Sequence, residues 1–222
     1  MELKDKIVVI TGGSKGLGKA MASCFLKNGA KVEVCSRDES EFLNLENGIL
    51  GIKADVTKEN ELQSLAEKVV AQFGKIDIWI NNAGIWLPRT IAEDFDMEKV
   101  RIMFDVNVFG TINGARVALR FIKKQGFGSI INIISDSAFV ARPMSSMYAA
   151  SKWAVNGFTK SIREANKNIK IISVYPGGMK TEIFGDKKPE NYDSFMEPEF
   201  VANKIVENLK KETPEEELII RR

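Results

Sequence analysis

Short runs of β-branched and aliphatic residues alternate along this chain with longer stretches in which apolar residues return every three or four positions. The runs at residues 6–11, 31–35, 49–53, 76–80, 129–134, 169–174 and 217–220 predict seven short strands. Residues 16–28 put Leu17, Ala20, Met21, Cys24 and Phe25 on one side of a helix, and residues 58–73 form a clear amphipathic helix. Helical spacing also covers residues 97–124, 147–167 and 199–210, with a short helix at 38–46. Strands that alternate with helices several turns long build βαβ units and a mostly parallel sheet. Several strands, Ser129-Ile130-Ile131-Asn132-Ile133-Ile134 among them, lack polar alternation, as expected when helices cover both sheet faces. The expected fold class is α/β: a doubly wound, mostly parallel sheet in a single domain spanning residues 1–222. Neither a repeat nor a linker interrupts it. Residues 177–198, rich in Pro, Gly and charge, are the one long irregular stretch and are expected to form a substrate loop or lid.

Composition narrows the chemistry more by what is missing than by what is present. The chain has no histidine, which removes Ser-His-Asp hydrolysis and most zinc chemistry, so no metal is expected. Its 32 basic and 30 acidic side chains leave a net charge of +2, with no electrostatic drive toward nucleic acid or a membrane surface. The apolar run Ile7-Val8-Val9-Ile10 is too short for a signal peptide or a membrane span. Cys24 and Cys35 lack metal or redox spacing and read as buried thiols of a protein in the reducing cytoplasm.

Two local patterns carry chemistry. The first strand runs into Thr11-Gly12-Gly13-Ser14-Lys15-Gly16-Leu17-Gly18 and then a helix. Glycines there permit a tight turn and close approach of a pyrophosphate, while the helix N-terminus offers free N–H groups and a positive dipole end. An ordinary glycine-rich βα turn is the plainer alternative, but placement directly after the first strand favours nucleotide binding. The same residues nearly spell a P-loop, yet Ala20 stands where that motif needs a hydroxyl for Mg²⁺. The second pattern is Tyr148-Ala149-Ala150-Ser151-Lys152, a phenol and an ammonium four positions apart and so on one helix face. A cation about 4 Å from the phenol, at an effective dielectric of about 20, favours the phenolate by roughly 4 kcal/mol, or about three pKa units. Such a pair can exchange a proton near neutral pH. Alone, the spacing fits equally a half-buried Tyr beside a solvated Lys.

The loop spacing Thr11-Gly12-x-x-x-Gly16-x-Gly18 resembles the cofactor loop of the short-chain dehydrogenase/reductase family. Further motifs of that family follow in register: Asp55-Val56 after the third strand, Asn81-Asn82-Ala83-Gly84 after the fourth, Ser135 after the fifth, the Tyr148–Lys152 pair, and Pro176-Gly177 with Thr181 after the sixth. The resemblance implies a Rossmann-like fold and hydride transfer between a nicotinamide and a carbonyl or secondary alcohol. It also implies a catalytic set of Asn107, Ser135, Tyr148 and Lys152, with Tyr148 as proton donor, Ser135 holding the substrate oxygen, Lys152 lowering the Tyr pKa and holding the nicotinamide ribose, and Asn107 fixing a relay water. Ser137 is the competitor to Ser135, but the family's Ser-to-Tyr interval of thirteen selects Ser135. The cofactor would lie along Gly12, Ser14, Lys15, Gly16, Leu17, Gly18, Asp55, Val56, Asn82, Ala83, Gly84, Pro176, Gly177 and Thr181. The family's habit of pairing through its long helices implies a homodimer or homotetramer.

Cofactor choice turns on the end of the second strand. An acid there would bond the ribose 2′-OH of NAD and repel a 2′-phosphate. Here the position holds Ser36, followed by Arg37, with Lys15 near by in the loop, so NADP is expected over NAD. Asp38, past the Arg, is assigned to capping the next helix. The substrate pocket is expected above the carboxyl ends of the fourth to sixth strands, walled by Trp86, Leu87, residues 139–144 including Met144, and Met179. Arg142 is the only cation expected to face it, so a neutral ketone or aldehyde is the expected substrate. Two alternatives stay open: an NAD-dependent alcohol dehydrogenase, and a non-catalytic nucleotide sensor on the same fold.

Overall fold

Every one of the seven strands lies parallel to its neighbours. In a computed structural model that describes residues 1–222, β1 (Ile7–Thr11), β2 (Lys31–Ser36), β3 (Ile49–Lys53), β4 (Ile78–Asn81), β5 (Ser129–Ile133), β6 (Lys170–Pro176) and β7 (Glu217–Ile220) form one sheet. Their order is β3-β2-β1-β4-β5-β6-β7, as a doubly wound fold requires. All residues of β1, β4 and β5 are buried, which explains their continuous apolar character. The edge strand β7 instead alternates exposed and buried positions.

The helices α1 (Gly16–Lys27) and α6 (Pro198–Lys210) pack on one face, where Met21, Phe25, Val201 and Ile205 join Val8, Ile10, Val32 and Val34. The other face is covered by α2 (Glu59–Phe73) and α4 (Gly110–Gln125), whose Leu62, Leu65, Val117 and Ile122 meet Val9, Trp79 and Ile130. Beside them α5 (Ser146–Ala165) packs on β6 through Val155 and Tyr175. Neighbouring strands β1 and β4 send their chains to opposite faces. A crevice therefore opens at their carboxyl ends, where the glycine loop lies.

The structure departs from the sequence pattern in three places. The single helix expected over 97–124 is α3 (Met97–Phe104), one π turn (Asp105–Phe109) and then α4. Wide π turns of this kind cluster at functional sites. The short helix expected at 38–46 is a 3₁₀ helix, Glu39–Asn44, capped as expected by Asp38, whose Oδ1 accepts from the Ser40 N–H at 2.9 Å. Residues 177–198 are not plain coil. They carry two 3₁₀ turns, Glu182–Phe184 and Tyr192–Ser194, drawn together by the Met179–Met196 bridge. Phe184 is the hub, with ring centres of Trp86, Tyr192 and Phe195 at 5.1, 5.8 and 5.8 Å.

Candidate active site

A single cavity of about 950 Å³ runs along the carboxyl ends of the strands, from the glycine loop to Tyr148 and Lys152. At one end the loop after β1 brings backbone close to backbone. A Cβ on Gly18 would stand 2.1 Å from the Gly12 carbonyl oxygen, and one on Gly12, at φ +62°, 2.8 Å from Ala83 Cα. Gly16, at φ +47°, faces Thr181. The first turn of α1 has neither a side-chain cap nor an acidic residue, so its N–H groups and positive dipole end are open to an anion. Such a cradle fits the pyrophosphate of a dinucleotide.

Two asparagines brace this end. Asn82 donates through Nδ2 to the carbonyls of Thr11 and Gly12 at 3.0 and 2.9 Å, while the Asn82 N–H donates to Thr11 Oγ1 at 3.0 Å. Asn107, fully buried on the π turn, grips the Ile85 backbone from both sides: Nδ2 donates to the carbonyl at 2.9 Å and Oδ1 accepts from the N–H at 2.8 Å. Its Nδ2 also reaches Ser151 Oγ at 3.2 Å. This side chain is thus engaged in holding the loop after β4, and Asn107 is absent from the cavity wall.

At the other end stand the acid–base candidates. Ser135 lies two residues past the end of β5, and its Oγ accepts from the Ser137 N–H at 3.1 Å. The hydroxyl of Ser137 is itself engaged by Arg142 Nη1 at 3.1 Å and does not line up with Tyr148 as Ser135 does. Lys152, one turn beyond Tyr148 on α5, is buried. Its Nζ donates to the Ile133 carbonyl at 3.3 Å and lies 5.7 Å from the centre of the Tyr148 ring. Burial pulls the Lys152 ammonium down to about 8. Burial also pushes the Tyr148 phenol up to about 12, against the pull of the Ser135 hydrogen bond and with a small push from Asp136. This reverses the expected depression of the Tyr148 pKa. The loss of water around a phenolate outweighs the Ser135 hydrogen bond and the Arg142 charge that would favour it.

The chain matches the short chain dehydrogenase family over residues 6–191. It belongs to that family. Among relatives, an uncharacterised oxidoreductase of Staphylococcus saprophyticus is 36% identical over 196 residues, covering 84% of this chain and 83% of that one. Among solved structures, ElxO with NADP bound superposes with a TM-score of 0.86 at 32% identity, covering 97% of each chain. The 3-ketoacyl-(acyl-carrier-protein) reductase of Brucella melitensis complexed with NADH gives 0.89 at 26% identity, covering 98% of this chain and 97% of that one. The protein is therefore an oxidoreductase of the short chain dehydrogenase family, with structural neighbours that hold NADP(H) in several cases and NADH in another.

In this short chain dehydrogenase, the end of the cavity beside β2 carries an unforeseen carboxylate. Ser14, Lys15, Ser36, Arg37, Asp55 and Val56 all line it, but so does Glu41. Glu41 accepts from Lys15 Nζ at 2.5 Å, from Ser36 Oγ at 2.6 Å and from Ser14 Oγ. Despite partial burial, these three donors hold its carboxyl down at about 2. Asp55 has one oxygen committed to Thr57, through N–H and Oγ1 at 2.9 and 2.8 Å. Sequence spacing gave no sign of Glu41, because its partner Ser14 lies 27 residues away.

Toward the Tyr148 end, Trp86 and Met179 line the cavity, as do Pro176, Gly177 and Thr181. Met144 does not. It is exposed, in the left-handed region at φ 60°, with its carbonyl accepting from the Thr90 N–H at 3.0 Å. The segment turns outward there, so Met144 is no wall. Leu87 and Phe139 are also off the wall, Phe139 lying edge-on to Tyr175 at 5.2 Å. Arg89 and Arg221 border the cavity beside Arg142, which was the only cation expected there. Asp136 binds Arg142 through two bonds of 3.0 and 2.7 Å, and Arg221 Nε sits 3.5 Å from the same carboxylate. Two guanidiniums against one carboxylate leave this wall net positive.

Proposed function

We propose that this short chain dehydrogenase reduces a ketone or aldehyde with NADPH, Tyr148 giving the proton. One observation carries the reading: the glycine cradle and the Ser135, Tyr148 and Lys152 side chains face one continuous cavity. When bound, the nicotinamide supplies a hydride to the carbonyl carbon. The protein's part is to hold the substrate oxygen and protonate it. Ser135 offers an O–H to that oxygen. A phenol pushed up to about 12 stays protonated at neutral pH, as a donor must, and is still a far stronger acid than the alcohol formed. The buried Lys152 ammonium balances the phenolate left behind. Asn107 acts by positioning the loop after β4.

Replacing Tyr148 with Phe should lower kcat by a factor of about 10²–10⁴ while leaving NADPH binding within twofold. Unchanged turnover in Tyr148→Phe would remove the mechanism, whereas wild-type protein that binds NADPH but turns over no carbonyl would favour a nucleotide sensor.

NADP as the preferred cofactor is supported by Lys15, Ser36 and Arg37 at the adenosine end, and by the NADP bound to ElxO. A second reading, NAD, is favoured by the Glu41 carboxylate at the same spot and by the NADH in the Brucella melitensis reductase. The ratio of kcat/KM for NADPH and NADH decides between them.

Three further readings belong here. Residues 177–198 serve as the substrate lid, since Phe184 and Phe195 border the cavity. The chain assembles as a dimer or tetramer through its long helices, where Ile102, Phe109 and Trp153 are exposed. It works in the cytoplasm, where its two free cysteines stay reduced. No helix is long and apolar enough to cross a membrane.

A further inference from the structure

Three donors in the adenosine end of the cavity already serve one anion that belongs to the protein. Lys15 Nζ reaches Glu41 Oε1 at 2.5 Å, and Ser36 Oγ and Ser14 Oγ both donate to Oε2. Ser14 is itself buried, and Glu41 keeps only 18% of its side chain exposed. A phosphate would seek the same donors, for the same reason: anionic oxygens accept from an ammonium and from hydroxyls. Carboxylate and phosphate cannot share the seat without strong like-charge repulsion. Arg37 is the one neighbouring cation with no carboxylate partner, while Asp38 and Glu182 add negative charge around Lys15. The backbone beneath Glu41 is well held. The 3₁₀ helix Glu39–Asn44 is capped by Asp38, and the Phe42 ring lies so close on Gly51 that a Cβ there would meet it at 2.4 Å. Glu41 can therefore leave the seat by side-chain rotation, without unfolding the turn.

We infer that Glu41 is an internal anion seated where a 2′-phosphate on the adenosine ribose would bind, and that it sets how strongly the protein separates phosphorylated from unphosphorylated dinucleotides. NADP(H) must displace it, whereas NAD(H) leaves it in place. The inference deepens the cofactor reading above and rests on the adenosine end lying at Lys15, Ser36 and Arg37.

The test is binding, measured by calorimetry on the whole protein with NADP⁺, NAD⁺, adenosine 2′,5′-bisphosphate and adenosine 5′-monophosphate. Glu41→Gln and Glu41→Ala should each tighten NADP⁺ and the bisphosphate by about tenfold or more, and NAD⁺ and the monophosphate by less than twofold. No selective gain in either variant would overturn the inference. So would weaker NAD⁺ binding with unchanged NADP⁺ binding, which would make Glu41 a ribose hydroxyl acceptor. Lys15→Ala separates the two readings. If it weakens NADP⁺ while the Glu41 variants change nothing, the seat is real and Glu41 does not occupy it competitively. If Lys15→Ala leaves NADP⁺ untouched, there is no 2′-phosphate seat at Lys15, and both readings fall. Thermal melts of each variant confirm that the fold is kept.

Discussion

Tyr148 and Lys152 look like a pair in which the cation serves the phenol, but burial moves both groups toward their neutral forms. Lys152, pulled down to about 8, carries its charge at pH 7 and loses it as pH rises through 8. On the proposed mechanism, reductive kcat falls above about pH 8 along a one-proton limb, because the ammonium that would balance a Tyr148 phenolate disappears. Lys152→Arg, whose guanidinium stays charged, should lose activity through altered geometry yet show no such limb. A pH–rate profile for both proteins checks this, and a limb that persists in Lys152→Arg would assign it to another group. Glu33 is a second residue governed by burial. It is 1% exposed, shares a face of β2 with Cys35, and neither carboxyl oxygen has a hydrogen-bond partner. Burial pushes it up to about 7. An acid whose folded pKa exceeds its unfolded value of about 4.3 destabilises the fold progressively as pH rises between the two, and fully above the higher one. Glu33→Gln should thus gain stability over wild type between pH 5 and pH 8, by up to about 3 kcal/mol. Urea unfolding at the two pH values reads the difference, and a gap that does not widen with pH would refute the assignment.

Among the elements, β4, β5 and α5 are joined by a polar chain that no local pattern announces. Trp79 Nε1 donates to Asn81 Oδ1 at 2.8 Å, Asn81 Nδ2 to Asn132 Oδ1 at 2.8 Å, and Asn132 Nδ2 to Thr159 Oγ1 at 2.9 Å, all buried. The chain ties β4, β5 and α5 together just below Ser135. Gly114 of α4 makes room for it, since a Cβ there would lie 1.9 Å from Asn81 Oδ1. Ala in place of Gly raises intrinsic helix stability by about 1 kcal/mol. Overpacking costs about 1–3 kcal/mol, and breaking a buried hydrogen bond about 1–3 more. Gly114→Ala should therefore destabilise by roughly 3 kcal/mol net, against its propensity, and lower Tm by several degrees. A raised Tm would show that α4 shifts away freely. The π turn before α4 belongs at this scale too. Apolar spacing over 97–124 reads as one helix because one widened turn barely disturbs a period of 3.6. Only the grip of Asn107 on Ile85 marks where the widening falls.

For the whole molecule, part of the exposed apolar surface lies on α3, the π turn and α5. Ile102, Phe109 and Trp153 are each more than half exposed, at 53, 54 and 55%. If these side chains bury each other between copies of the chain, Trp153→Glu together with Ile102→Glu should give monomers in sedimentation experiments, with the fold kept by circular dichroism. An unchanged sedimentation coefficient would move the assembly surface elsewhere.

The alternation of short aliphatic runs with helical periods was enough to specify a parallel, doubly wound sheet, because burial on both faces leaves its mark directly on the residues of each strand. The glycine loop and the Tyr148–Lys152 spacing were legible for a similar reason: each is a local pattern within one loop or one turn, and both face the same cavity. Tertiary structure alone decided the rest. It broke the long helix at Asn107, turned Met144 out of the cavity, seated Glu41 on Ser14 and Lys15, and raised the Tyr148 pKa where spacing alone predicted a fall. Each of these depends on residues distant in the chain or on the exclusion of water, and neither quantity is written in a local pattern.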